Sequence, residues 1–181
     1  MNKTEARKNM RVLRDKLAES VRAVCDAQIA ENLFGIDGFW GFEDYFVYLS
    51  FGSEASTEGI IDGLLRRGKN VFVPKIIGGE MFAVKFKPPF AVNKFGVKEP
   101  TEAIYAEKID ISVTPLIAAD GQFNRVGYGK GYYDRFFEKN ACYKIGVCYS
   151  VQVADEIETE VTDVPLDMLV TEKYVLERKK L

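Results

Sequence analysis

Two stretches decide the fold: Tyr45-Phe46-Val47-Tyr48-Leu49-Ser50-Phe51, and Asn70-Val71-Phe72-Val73-Pro74 after it. Both are short apolar runs rich in β-branched and aromatic residues, without the polar alternation of a half-exposed strand, so they read as strands covered on both faces. Between them, Ser56 or Thr57 is placed to cap a helix in which Ile60, Ile61, Leu64 and Leu65 share a face, with Arg66 and Arg67 in its last turn. Gly68 supplies the stop. Strand, helix and strand of these lengths make one βαβ unit, and its two strands should lie parallel.

The same alternation continues outward. Met81 to Phe86, bounded by Gly78-Gly79 and Pro88-Pro89, suits a peripheral hairpin strand, and residues 90–108 read as a loop-rich excursion. Further strands are expected at 109–116, 143–149 and 167–171, with a helix at 131–139. This pattern predicts a three-layer α/β fold, a mainly parallel sheet with helices on both faces, in a single domain spanning residues 1–181. Ligands of such folds sit at the carboxyl ends of the strands. Upstream, residues 3–34 are expected to form one or two helices broken near Ser20. Met10, Leu13, Leu17, Val21, Val24 and Cys25 recur there at steps of three and four, as one apolar face would require.

Composition narrows the chemistry. The 181 residues include no histidine, which excludes Ser-His-Asp and Cys-His catalysis, histidine-bound metals and histidine pH switches. Chemistry must come from Lys, Arg, Asp, Glu, Tyr or a bound ion. Three cysteines, Cys25, Cys142 and Cys148, lack CxxC spacing and are too few to hold zinc without histidine; they read as reduced thiols of a cytoplasmic protein. No stretch approaches a membrane span, and a formal net charge of -2 gives no global footprint for nucleic acid or a membrane surface. Small molecules are the expected partners, with a monomer or weak homo-oligomer as the assembly. Basic residues outnumber acidic ones between Lys3 and Arg22, which by itself fits a solvated helix face.

The chemistry-bearing segment is Gly121-Gln122-Phe123-Asn124-Arg125-Val126-Gly127-Tyr128-Gly129-Lys130-Gly131-Tyr132-Tyr133-Asp134-Arg135, between the strand at 109–116 and the helix at 131–139. Alternating glycines let backbone N–H groups approach an anion, the following helix N-terminus adds donors, and Arg125 and Lys130 supply counter-charge. It is a phosphate cradle in design. It is not a P-loop, because Gly131 rather than Ser or Thr follows Lys130, and Tyr132 breaks the dinucleotide GxGxxG pattern.

This segment resembles the signature of the 5-formyltetrahydrofolate cyclo-ligase family. Four other places match in order: Lys3-Thr4-Glu5-Ala6-Arg7 resembles the family's Lys-x-x-Leu-Arg, and Leu49-Ser50 with Glu54 and Thr57 its first-strand loop. Pro74-Lys75 resembles its second strand end, and Thr162-Asp163-Val164-Pro165-Leu166-Asp167 its His-Asp-x-Pro-x-Asp. Ala6 and Thr162 depart from the usual Leu and His, and Phe95 stands where some members carry Trp. The resemblance implies a Rossmann-like fold of the NagB/RpiA/CoA-transferase kind, and ATP- and Mg2+-dependent closure of 5-formyltetrahydrofolate to 5,10-methenyltetrahydrofolate. It implies ATP contacts from Lys3, Arg7, Lys75, Arg125, Val126, Gly127, Tyr128, Gly129, Lys130, Gly131, Tyr132 and Tyr133. Folate contacts would come from Leu49, Glu54, Phe95, Tyr128, Gly129, Lys130, Gly131 and Tyr132, and Mg2+ ligands from Asp134 and Asp163. Lys130, Arg125 and Tyr132 would carry the catalytic step. Competing readings are another phosphate-using enzyme on the same scaffold, a nucleotide- or folate-binding regulatory module, and a nucleic-acid binder using the basic N-terminal helix. The carboxylates Glu54, Asp134 and Asp163 argue against a mere binder, and the acidic remainder of the chain against the last.

Overall fold

The computed structural model describes residues 1–94 and 96–179. The chain opens with α1 (Lys3–Asp15) and α2 (Glu19–Phe34), then β1 (Asp44–Val47), α3 (Glu58–Arg66), β2 (Asn70–Ile77) and β3 (Glu80–Lys85). There follow β4 (Phe90–Val92), β5 (Lys98–Pro100), β6 (Ile111–Pro115), β7 (Ala118–Asp120), β8 (Arg125–Val126) and α4 (Tyr132–Lys139). The chain closes with β9 (Tyr143–Val147), β10 (Val153–Ala154), β11 (Met168–Val170) and β12 (Val175–Glu177). Among the described residues the main sheet has seven strands, in the order β12-β11-β9-β6-β1-β2-β3. All neighbours from β11 to β2 pair in parallel, and only the two edge strands run antiparallel.

Strand alternation explains the layers. Tyr45, Val47, Val71, Val73, Ile111 and Val113 point to one face, where they pack with Ile29 and Leu33 of α2 and Ile60, Ile61 and Leu64 of α3. The intervening Phe46 and Phe72 point the other way and meet Phe136 and Phe137 of α4. Both faces of the parallel strands are therefore covered, as their continuous apolar sequence requires. Leu65, expected on the inward face of α3, is instead exposed. Thr57 is the N-cap residue, but its hydroxyl donates to Tyr48 O at 2.7 Å instead of capping the helix.

The N-terminal pair of helices corrects the expected apolar stripe. The chain breaks at residues 16–18, and the inward residues of α1 are Ala6, Met10 and Arg14, while Leu13, Val21 and Val24 are exposed. A stripe read across two helices cannot stay on one face once the axis changes direction between them. Ala6 and Met10 pack on a small second sheet, β10-β7-β8, through Ile117, Ala118, Val126 and Ala154. Residues 90–108 also hold more order than a loop, since β4 and β5 pair as a short hairpin, and β12 adds an unforeseen edge strand beyond residue 171.

Gly146 sits within β9, where a Cβ would lie 2.3 Å from Leu166 Cδ1 and 3.0 Å from Leu116 Cδ2. Both leucines are buried, so neither can swing into solvent. Gly146→Ala should therefore overpack this face and cost about 1–3 kcal/mol. Urea denaturation monitored by circular dichroism checks this; an unchanged midpoint would show that the leucines repack freely.

Candidate active site

The glycine loop lies between β8 and α4, on the carboxyl side of the parallel strands. Gly129 and Gly131 have φ of +86° and +64°, and Gly131 is the N-cap of α4. Only glycine takes that backbone region at no cost. The turn leading into the loop is held by Asp120, which is fully buried. Its carboxylate accepts from the backbone N–H of Gln122, Asn124 and Ile157 and from Asn124 Nδ2, at 2.9–3.0 Å. Sequence reasoning passed over Asp120, although an acid just before Gly121 is a turn signal.

Helix α1 docks against this loop. Arg7 Nε donates to Gly127 O at 2.9 Å, and a Cβ on Gly129 would come within 3.5 Å of the Arg7 guanidinium. Lys3 Nζ pairs with Asp163 at 2.7 Å and with Glu160 at 3.3 Å. Burial draws the Lys3 ammonium down, but its hydrogen bond to Asp163 and the carboxylate charge outweigh this and leave its pKa raised. Arg125 NH2 pairs with Asp134 Oδ1 at 2.6 Å, and Val164 N–H approaches the same oxygen at 3.4 Å. Asp134 and Asp163, far apart in sequence, are thus brought to one wall of a cleft of about 1090 Å³.

The opposite wall carries Tyr48, Leu49, Phe51 and Glu54 from the loop after β1. Glu54 is buried; its Oε1 accepts the Tyr128 hydroxyl at 2.7 Å and its Oε2 the Phe51 N–H at 3.0 Å. Burial pushes the Glu54 carboxyl up, opposed by those two hydrogen bonds and by the charge of Arg14. Burial and the Glu54 charge push the Tyr128 phenol up to about 12. The rings of Phe51 and Tyr128 stack at 5.7 Å between centroids. Lys130 is exposed at the loop crest, and Arg135 donates to its carbonyl at 3.0 Å.

Most residues named from the sequence line this one cleft: Lys3, Arg7, Leu49, Glu54, residues 125–134 and Asp163. Lys75 does not. Strand β2 runs on to Ile77 in a hairpin with β3, so Lys75 is mid-strand rather than at a strand end. Pro74 and Ile76 face the cleft, while the Lys75 ammonium turns to the carbonyls of Pro100 and Thr101, at 2.8 and 3.3 Å. Phe95 lies outside the described residues. Arg11 and Phe51 line the cleft without having been singled out. The signal for α1 was the basic spacing Lys3, Arg7, Arg11, which runs along the helix more faithfully than the apolar stripe did.

Asp134 and Asp163 offer the hard oxygen donors that suit Mg2+. Among the described residues no group of three or more ligating side chains is assembled. Both carboxylates are already paired, Asp163 with Lys3 and Asp134 with Arg125, so they would suit only an ion that keeps several waters and takes one or two carboxylates.

A model of the 5-formyltetrahydrofolate cyclo-ligase family matches residues 1–172. The chain belongs to that family. It is 34% identical over 145 residues to a probable 5-formyltetrahydrofolate cyclo-ligase of Schizosaccharomyces pombe, covering 68% of this chain and 71% of the relative. It is 30% identical over 143 residues to the 5-formyltetrahydrofolate cyclo-ligase of Escherichia coli, covering 72% and 79%. The solved structure of Aquifex aeolicus 5,10-methenyltetrahydrofolate synthetase superposes with a TM-score of 0.87 at 30% identity, covering 99% of this chain and 95% of that one. The family fold expected from the motifs is thereby confirmed, α/β with a large mainly parallel sheet.

Because burial raises the Glu54 pKa, its contribution to stability is fully present below the ordinary glutamate value of 4.5 and is lost as pH rises through the higher folded value. Glu54→Gln should then leave stability at pH 7 equal or higher, and flatten its decline across that window. Urea midpoints measured across pH test this. A variant less stable than the parent at pH 7 would mean that the hydrogen bonds outweigh the burial of charge.

Proposed function

We propose that this chain converts 5-formyltetrahydrofolate to 5,10-methenyltetrahydrofolate with ATP and Mg2+, releasing ADP and phosphate. The observation that carries the reading is that one cleft collects the docked basic helix, the positive-φ glycine loop, the Glu54 wall and the Asp134–Asp163 pair. The relatives named above support the cyclo-ligase step by their names, and the cleft's chemistry is the ground for ATP and Mg2+.

A formamide carbonyl is a poor electrophile, so its oxygen attacks the γ-phosphorus of ATP and ADP departs. N10 then attacks the activated formyl carbon and gives up its proton to water or to the departing phosphate, and the C–O bond breaks to release phosphate and leave the methenyl cation. Such transfer depends on positioning and charge neutralisation, which a chain without histidine can supply. Lys3, Arg7, the backbone N–H groups from Gly127 to Tyr133, Arg125 and Lys130 take the phosphates. Asp134 and Asp163 would hold Mg2+, which would supply neutralisation of phosphate charge. Leu49, Glu54 and the loop from Tyr128 to Tyr132 hold the folate. Glu54 is an acceptor for the pterin N–H groups, and Tyr132, which lines the same cleft as Lys130, would act where the two substrates meet. Lys75 has no part in this reading. Free Cys25, Cys142 and Cys148 fit the reducing cytoplasm, and no described helix is long and apolar enough to cross a membrane.

The direct test follows methenyl absorbance and ADP together, with purified protein, 5-formyltetrahydrofolate, ATP and Mg2+. Product formed equally without ATP would overturn the mechanism. Lys130→Ala should lower kcat about 100-fold or more with the fold intact, since its side chain is exposed. Unchanged turnover would reduce the loop to a turn.

Asp134→Asn and Asp163→Asn should each raise the Mg2+ concentration needed for half-maximal rate. The double variant should cost less than the two single effects combined, because groups acting on one ion are not independent. Mg2+ titrations of initial rate check this, and strictly additive effects would assign the two carboxylates to separate tasks.

A further inference from the structure

Arg14 belongs to none of the family motifs, yet it is among the most buried charges in the chain, its side chain 3% exposed. Its Nε donates to Ser53 Oγ at 3.0 Å and its NH2 approaches the Tyr128 hydroxyl at 3.4 Å. NH1 is buried without a hydrogen-bond partner. A buried cation with an idle donor is costly, and Ala6 and Met10 already anchor α1 through apolar contacts. Clamping the helix is therefore a weak reason for its presence.

The bonding direction supplies a better one. Guanidinium has no acceptor, so the Tyr128 oxygen must accept from Arg14, and its single proton is left to point at Glu54 Oε1. Glu54 Oε2 likewise faces a donor, the Phe51 N–H. Both oxygens are set up as acceptors, which is the arrangement of a carboxylate. We propose that Arg14 is a positioning residue for the folate half of the cleft, orienting Tyr128 and keeping the buried Glu54 an ionised acceptor for the N–H groups of the pterin. The identity of the ligand rests on the function proposed above; the hold of Arg14 on Glu54 does not.

The other titratable groups around Glu54 cannot do this work. Tyr48 after β1, Tyr133 in α4 and Tyr149 after β9 are phenols that burial drives to high pKa, so they stay neutral. Asp26 of α2 accepts the Tyr149 hydroxyl at 2.8 Å, and Asp15 of α1 accepts the hydroxyl of Ser53. Both carry the wrong sign. Arg14 is the cation whose charge lowers the Glu54 carboxyl.

The experiment compares Arg14→Met, Arg14→Lys and Tyr128→Phe with the parent protein. Glu54 titration is read by NMR of 13C-labelled carboxyl groups, assigned with Glu54→Gln. Affinity for 5-formyltetrahydrofolate is read by calorimetry, and the KM of each substrate against pH. Arg14→Met should raise the Glu54 titration midpoint, weaken folate about tenfold or more at neutral pH, and move the acid limb of its pH profile upward. The KM for ATP should stay within about twofold of the parent. Arg14→Lys should restore the midpoint at least in part, and Tyr128→Phe should raise it without touching α1. In the Glu54→Gln background, Arg14→Met should add little further loss of folate affinity. A Glu54 midpoint unmoved by both Arg14→Met and Tyr128→Phe overturns the proposal, as does an Arg14→Met variant altered only in thermal stability. If the parent binds no 5-formyltetrahydrofolate while the midpoint still moves, the proposed substrate fails and the control of Glu54 by Arg14 stands.

Discussion

The hydrogen bond from Arg7 to the Gly127 carbonyl joins segments 120 residues apart and sets where every other charge in the cleft can lie. It seats α1 across the glycine loop. Lys3 one turn before it then reaches Asp163, and Arg14 two turns after it reaches Tyr128. A single helix, holding one register, thus touches both halves of the cleft. A Cβ on Gly129 would meet the guanidinium in ordinary van der Waals contact at 3.5 Å, so it is the positive φ of this residue that calls for glycine.

What could be read from the sequence followed from patterns that local physics enforces. The parallel strands were legible because residues such as Tyr45, Phe46 and Val47 must be apolar on both faces, and the glycine loop because Gly129 and Gly131 take backbone angles that other residues resist. The misreadings arose where tertiary contacts overrode local pattern. Leu13 was expected inside and Arg14 outside, and the fold reverses them, because the partner of α1 at that turn is the polar group of Ser53, Tyr128 and Glu54 instead of an apolar surface. Lys75 was placed at a strand end, since Pro74 suggests a stop; proline is tolerated there because β1 has already ended on that side of β2. No spacing rule could have linked Arg14 to Glu54, which the fold joins through Ser53 beside Glu54 and through Tyr128 over seventy residues further on.

The charge balance of the cleft bears on how it could work without histidine. Its lining includes six basic side chains and five acidic ones, so the two signs nearly cancel before any substrate arrives. The cancellation is local: Lys3 lies on Asp163 and Arg125 on Asp134. On the function proposed above, an incoming triphosphate would compete with those carboxylates for the same two cations. Cation exchange of this kind needs no proton transfer by the protein, and before it neither aspartate is an uncompensated charge in its part-buried site.

The folate wall solves the opposite problem. On the proposed reading the protein keeps a negative charge there against the pull of desolvation, with the hydrogen bonds from Tyr128 and Phe51 and the charge of Arg14 opposing that pull. A basic residue in direct contact with Glu54 would occupy the oxygens that a ligand needs. Placing the cation one hydroxyl away, behind Tyr128, lets its field act on the carboxylate while the second lone pair on each oxygen stays open. The stacked Phe51 ring fixes the Tyr128 plane and so the direction in which the phenol can donate. Moving Arg14 forward to satisfy NH1 against Glu54 would occupy the oxygens that the proposed ligand needs, which gives its burial and its idle donor a reason on that reading.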